Sequence, residues 1–379
     1  MPWKEVNIMS QRKEFIMLAL AEEIPFRALC RRFGVSPGTG YELLKRYRRE
    51  GEAGLIDRSR RPHHSPDRTA GTIEAVVAQL RRKHPAWGGR KLRARLQAMG
   101  FAPLPAPSTI TDILHRQGLM HPDESTKHTA WRRFEHAAPN DLWQMDFKGH
   151  FALQQGRCHP LTVLDDHSRF NLCLTACGNE QGATVQRVLT EVFRRYGLPT
   201  RMTMDNGKPW GDSGNAPYTA FAVWLMRLGV NVSHSRPYHP QTQGKDERFH
   251  RTLEIEVLRD NGFADLAAAQ SRFDAWRDIY NQERPHEALQ QRPPASRYRP
   301  SVRAFPDPLP PIEYAPDHWI RKVDQRGKLY FQGRIINVYK AFTGYPLGLR
   351  PTCDDGVWDL YFCQHKIAQI NLREDVELT

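Results

Sequence analysis

The hydrophobic pattern changes its period near residue 140, and this limits the fold more than any other feature of the chain. Before that point apolar residues recur at helical spacing, as in Phe26, Leu29, Cys30 and Phe33, or Ile73, Val76, Val77 and Leu80. After it, DLWQMDFKGHFAL, HPLTVLDDHSRF and NLCLTACG are short runs rich in branched and aromatic residues, each bounded by Gly, Pro or Asn. With 379 residues the chain is also too long for one ordinary core. The expectation is a multidomain α+β protein: helical units first, then a mixed α/β core, then a small all-β domain.

The N-terminal segment predicts three helices, near 10–21, 25–33 and 36–49. Gly34 is placed to close the second helix in the left-handed conformation, and Ser36-Pro37 restarts the chain as N-cap and first helical residue. This is a helix-turn-helix pattern. Its second helix carries Thr39 and Tyr41 early, where base edges are read, and Lys45, Arg46, Arg48 and Arg49 further along, toward phosphates. A basic helical hairpin with no DNA role is the alternative. The following LIDRSRRPHHSP, with Arg58, Arg60 and Arg61, reads as a basic linker able to lie along a minor groove or to stand as a solvated spacer. A second helical unit follows, its last helix placed at 108–117 with Ser108 as cap. WGGRKLRARL carries Arg90, Lys91, Arg93 and Arg95 on its middle helix. Domain boundaries are predicted at 1–54, 55–68, 69–122, 136–290 and 312–379 for helix-turn-helix, linker, second helix-turn-helix, core and β-barrel.

Charge agrees with this division. The chain carries a net +13, and its first 140 residues hold 25 basic against 14 acidic side chains, so +11 of the excess lies there. Double-stranded DNA is the simplest partner, because each neutralised phosphate releases counterions. No apolar run approaches the length of a membrane span, and the short Phe15–Ala21 patch is cut off by Glu22 and Glu23, which argues against secretion. A cytoplasmic protein is expected, nucleoid-associated when bound to DNA. Among the six cysteines Cys173 and Cys177 lie closest, and they are expected to be buried small hydrophobes.

Within the core the predicted order is βββαβαβα, with a long helix starting near Gln241, a further helix over 265–283, and Pro285–Pro311 as a linker. Three acids stand out. Asp146 interrupts an otherwise apolar strand, Asp205 ends the short strand RMTMDNG, and Glu247 lies in the first turns of the long helix. If the first strand is central, the three can converge at one sheet edge. Asp165, Asp166, Asp246 and Glu254 compete for the same role. Phe249, Leu253 and Val257 form the apolar stripe of the long helix, and at about 100° per residue Glu247 stands roughly 200° from Phe249, away from that stripe.

WQMDF, TMDNGKPWG and RPYHPQTQGKDERFHRTLEIEVL, in this order, resemble bacterial insertion-sequence transposases of the DDE superfamily, whose core is like that of retroviral integrases. The acids are separated by 59 and 42 positions, the second somewhat longer than usual, with the extra length assigned to PWGDSGNAPYT. The resemblance implies an RNase H-like core in which Asp146, Asp205 and Glu247 are catalytic and hold Mg²⁺ as two ions, with Mn²⁺ able to substitute. It implies binding of terminal inverted repeats, DNA cleavage and strand transfer, and self-association to at least a dimer so that two ends are paired. Many relatives carry a basic residue seven positions after the glutamate, where this chain has Glu254, so Arg248 or Arg251 is expected to take over that DNA contact. Lys148, Tyr238 and Lys245 are further candidates by position. Asp165 reads as a structural acid paired with Arg169, and His234, His239 and His250 as DNA-backbone or solvent contacts. A catalytically inactive DNA-binding regulator and a nuclease that cuts without joining are the rival readings.

Overall fold

The computed structural model describes residues 8–58, 69–120, 135–205, 207, 209–210, 218–234, 244–259 and 262–373. Arg60, Arg61, Tyr238, His239 and the expected helix start at Gln241 lie outside these residues. The chain divides into two compact units, Met1–Arg68 and Thr69–Thr379.

The first unit holds α1 (Ile8–Ala21), α2 (Phe26–Arg32) and α3 (Pro37–Glu50). Gly34 has φ +66°, and the Ser36 side chain accepts from the Thr39 backbone N–H, so both predicted joint signals operate. Phe15, Ile16, Leu29, Cys30, Leu44 and Leu55 form the core. The chain after α3 packs back on the unit before residue 59: Leu55 is fully buried, and Arg12 donates to its carbonyl at 2.7 Å.

The second unit opens with α4 (Gly71–Lys83), α5 (Gly89–Ala98) and α6 (Pro107–Arg116). Helix α6 begins one residue before the expected start. Ala106 occupies the cap position without a side-chain bond, so Ser108 is not the cap; Pro107 at the first position needs no N–H partner there. At Gly89 an added Cβ would lie 2.3 Å from the Pro107 carbonyl oxygen, so only glycine permits this approach of α5 to α6.

Next come β1 (Leu142–Phe147), β2 (Phe151–Ala152), β3 (Arg157–Asp165), β4 (Asn171–Cys177), α7 (Gly182–Tyr196), β5 (Arg201–Met204), α8 (Ala220–Arg227), β6 (Asn231–His234), α9 (Gly244–Leu253) and α10 (Leu266–Asp278). β1 is central, antiparallel to β3 and parallel to β5; β4 lies outside β3, and β6 runs parallel to β5. Side chains alternate across a strand. Trp143 and Met145 therefore join Phe193 of α7 and Leu225 of α8 on one face, while Leu164 and Leu174 meet Phe249, Leu253, Phe273 and Trp276 of α9 and α10 on the other. Cys173 and Cys177 are buried in the first of these layers.

Both helices on the second face end in wide π turns, Glu254–Leu258 and Ile279–Glu283. The expected linker after them is instead a strap on the core. Tyr298 stacks on Phe170 at 4.2 Å, and Ala295, Phe305 and Leu309 pack against the α7 layer. Arg303 donates to the carbonyls of Pro199, Leu228 and Gly229 at 2.7–3.0 Å. A proline-rich composition describes local stiffness; apolar residues spaced through it supply the packing that composition hides.

The C-terminal domain is antiparallel: a four-stranded sheet of β7 (Trp319–Lys322), β10 (Pro346–Pro351), β11 (Val357–Phe362) and β12 (His365–Asn371), with a ribbon of β8 (Lys328–Phe331) and β9 (Arg334–Asn337). Both enclose one core that includes Leu329, Phe331, Leu347 and Phe362 and continues onto Val223 and Met226 of α8. No described helix is long and apolar enough to cross a membrane.

Candidate catalytic site and nucleic-acid-facing residues

Strand parity decides where Asp146 points. Its neighbours Trp143, Met145 and Phe147 belong to the α7 layer, so Asp146 falls on the face covered by α9. Asp205 follows directly on β5, the parallel neighbour of β1. Glu247 lies in the first turn of α9, where negative charge also complements the helix dipole.

The electrostatics record how close these groups are. Burial pushes the Asp146 carboxyl up to about 7, and the charges of Asp205, Glu180 and Glu247 push the same way against a hydrogen bond from the Phe147 N–H. Asp205 is raised chiefly by burial and also by Glu180, opposed by a 3.0 Å hydrogen bond from the Gly207 N–H and by His234. Asp146 thus lies within electrostatic reach of both Asp205 and Glu247. Among the described residues, however, no group of three His, Cys, Asp or Glu side chains is arranged to hold a single ion.

His250, one turn after Glu247, places Nε2 2.8 Å from the Thr162 hydroxyl, which donates to the Asp146 carbonyl at 2.9 Å; His250 Nδ1 is 3.9 Å from the Asp146 carboxylate. Burial lowers its pKa to about 4, so the ring is neutral at ordinary pH and belongs to the site's wall rather than to solvent. Glu254, at the position where a basic residue was the expected pattern, pairs with Lys148 at 2.5 Å. Asp246 is 1% exposed, and among the described residues neither carboxylate oxygen has a hydrogen-bond partner. Burial, reinforced by Asp146 and Asp166, holds its pKa well above the usual carboxylate range. Sequence reasoning marked Asp246 only as a competitor of Glu247. Its position three residues before Phe249 on the helix was the available sign that it turns inward.

Two pairings differ from expectation. Asp165 accepts from the N–H groups of Asn140 and Ser168, both at 2.7 Å, while Arg169 pairs with Glu135 at 3.1 Å. The turn after β3 closes on Asp165 itself, which leaves the arginine to a more distant acid. Lys245 is turned inward onto Asp166, with burial lowering its pKa.

On the first unit Thr39, Tyr41, Lys45, Arg48 and Arg49 line the exposed side of α3. Tyr41 is 58% exposed and stacks on Phe26 at 4.2 Å. Arg46 instead donates to the Ile56 carbonyl, and Arg49 and Arg58 both bind Glu50. In the second unit Arg90 and Arg248 are exposed, Arg251 is exposed, Lys91 is half-buried, and Arg93 donates to the Pro105 carbonyl at 3.1 Å.

Comparison with known proteins agrees with this architecture. Residues 136–240 and 228–294 match the integrase core domain, residues 318–378 the C-terminal domain of IS481 family transposases, residues 11–63 a helix-turn-helix domain and residues 39–114 a homeodomain-like domain. A 39.2 kDa protein of insertion element IS476 from Xanthomonas euvesicatoria, itself uncharacterized, is 31% identical over 41% of this chain and 44% of its own. An uncharacterized 31.7 kDa protein of element IS407 from Burkholderia multivorans is 29% identical over 45% of this chain and 59% of its own. The chain thus spans about half the length of these relatives. Among solved structures, a simian T-cell lymphotropic virus intasome chain aligns at 17% identity over 76% of this chain and 96% of its own, with TM-score 0.38. The HTLV-2 integrase catalytic core in complex with magnesium aligns at 15% identity over 43% of this chain and 99% of its own, with TM-score 0.34. The chain thus carries matches to the integrase core domain, followed by a match to the C-terminal domain of IS481 family transposases, with helix-turn-helix and homeodomain-like matches ahead of both.

Proposed function

We propose that this protein binds the ends of an insertion sequence and catalyses metal-dependent cleavage and strand transfer of DNA, with Asp146, Asp205 and Glu247 as the catalytic acids. The observation that carries the reading is that Asp146 stands on β1 beside β5, whose end carries Asp205, and on the face covered by α9, which carries Glu247. Asp146 is held near neutrality by burial and by Asp205, Glu180 and Glu247, a charge arrangement that a divalent cation relieves. The donors are all carboxylate oxygens, which suit a hard ion such as Mg²⁺, with Mn²⁺ as a substitute. When bound, a pair of such ions would activate the attacking oxygen and stabilise the departing one in an in-line phosphoryl displacement. The chain's own contribution is to hold Asp146 on a rigid central strand, Asp205 on its parallel neighbour, and Glu247 on a helix anchored by Phe249, Leu253 and Val257. No protein nucleophile is needed.

The domain roles belong to the same proposal. Residues 1–54 and 69–122 bind double-stranded DNA, 55–68 links them, 136–290 performs the chemistry with the strap to residue 309 as its support, and the C-terminal domain from 312 completes the chain. Two ends must be held together, so the active form is at least a dimer. The test is incubation of the full chain with DNA from the element's end and Mg²⁺, scoring nicks and joined products. Cutting without joining would make it a nuclease, and specific binding without either would make it a regulator.

A further inference from the structure

Helix α5 of the second helix-turn-helix unit and helix α9 of the core meet at a single-turn segment, Glu287–Leu289. That turn is fixed by a tight backbone pairing, with the His286 N–H donating to the Arg292 carbonyl and the Gln291 N–H to the His286 carbonyl. Glu287 presents its carboxylate outward, 52% exposed. Arg90 Nη1 lies 3.8 Å from one of its oxygens, and Arg248 Nη2 lies 3.7 Å from the other. Two guanidinium groups from different parts of the molecule therefore flank opposite sides of one carboxylate. Both contacts are longer than hydrogen bonds and exposed, so they hold weakly.

The neighbouring acids are already committed. Glu283 accepts from Arg95 at 2.8 Å, and Glu256 accepts from Arg284 at 2.9 Å and from the Trp276 ring N–H at 2.9 Å. Lys91 stands half-buried in the same place, and burial together with Arg284 and Arg248 lowers its pKa to about 8. Arg90 and Arg248 thus share one exposed carboxylate, with Lys91 close by, which leaves positive charge in excess beside Glu247. A phosphodiester offers the same pair of oxygens to an arginine fork as a carboxylate does.

We propose that Glu287 stands in for a DNA backbone phosphate: in the free chain it holds Arg90 and Arg248 as one clamp, and on DNA binding it yields both to a single phosphodiester. This rests on the DNA-processing reading and adds to it a coupling device. The arginine next to Glu247 and an arginine of the second helix-turn-helix unit grip the same phosphate, so seating of the DNA on that unit fixes its register at the acids. The phosphate displaces the carboxylate because DNA releases counterions on binding and the carboxylate contacts are loose.

The test is the salt dependence of binding by the full chain to a short mixed-sequence DNA duplex. Loss of one phosphate contact lowers the slope of log K against log salt by about 0.9. Arg90→Ala and Arg248→Ala should each lower it by less than this amount, because the remaining arginine still contacts the phosphate, and the double variant should lower it by about 0.9 in all. Glu287→Gln should tighten binding about fivefold, the equivalent of roughly 1 kcal/mol, and this gain should vanish in the Arg90→Ala/Arg248→Ala background. A double-variant slope lowered by about 1.8 would overturn the shared clamp, because the arginines then bind separate phosphates. Persistence of the Glu287→Gln gain in the double background would overturn the stand-in role, since the effect is then general charge. A wild-type chain that shows no salt-dependent binding to duplex DNA would instead sink the DNA-processing reading itself.

Discussion

Replacing Asp146 by Asn should make the metal-free chain more stable at neutral pH while abolishing its chemistry. The Asp146 carboxyl is pushed up to about 7 from an ordinary 3.8, mainly by burial and next by Asp205. At roughly 1.4 kcal/mol per pH unit the difference is worth about 4 kcal/mol. The side chain keeps 26% of its surface in water, so solvent screening trims the expected effect to about 2–4 kcal/mol. The sign follows from which state holds the proton. Below the ordinary value both states are protonated, and the contribution to stability is fully present. As pH rises toward about 7 the unfolded chain ionises while the folded chain does not, so stability is lost across that window. Asn cannot ionise, and the variant lacks this loss. Denaturant unfolding with a chelator present, followed by the fluorescence of residues such as Trp143 beside Phe193, should show the two proteins close at about pH 4. They should diverge by about 2–4 kcal/mol at about pH 8. Saturating Mg²⁺ should narrow the gap by stabilising only the wild type. A difference independent of pH would refute the reasoning, because the Asp146 carboxyl would then not be held above its ordinary value.

Asp146→Asn, Asp205→Asn and Glu247→Gln should each reduce cleavage and joining below about a tenth of wild type while leaving end binding within a few fold, read on labelled end DNA; an active variant removes that acid from the site. Asp246→Asn should fold normally and raise metal-free stability at neutral pH, because a buried acid without a partner gives way to a neutral group of the same shape; pH-dependent melts identical to wild type would show that Asp246 is not held protonated. Gly89→Ala should destabilise the α5–α6 packing by about 1–3 kcal/mol, since the new Cβ meets the Pro107 carbonyl at 2.3 Å, and wild-type stability in thermal unfolding would contradict that contact. Arg303→Ala should cost about 2–4 kcal/mol through three lost charged hydrogen bonds to backbone carbonyls, so a core fragment ending at residue 290 should unfold more easily than one extended past 309.

What the sequence determined alone was local. Helical spacing around Leu29 and Cys30, Ser36-Pro37 at the restart and the strand runs from Leu142 placed the elements to within a few residues, because capping and side-chain period act over one or two turns. The strand position of Asp146, the place of Asp205 directly after β5, and the helical position of Glu247 opposite Phe249 were legible for the same reason. Tertiary structure decided everything that depends on neighbours distant in the chain. It buried Asp246 with no hydrogen-bond partner among the described residues, turned Lys245 onto Asp166 and gave Arg169 to Glu135. It laid the proline-rich strap on the core through Tyr298 and Arg303, and it brought Arg90 to the same carboxylate as Arg248. The period of a pattern states which face of an element is apolar. Which charged group finds a partner, and whether water reaches it, is set by the surfaces that pack against that face, and those arrive from sequence positions that no local pattern connects.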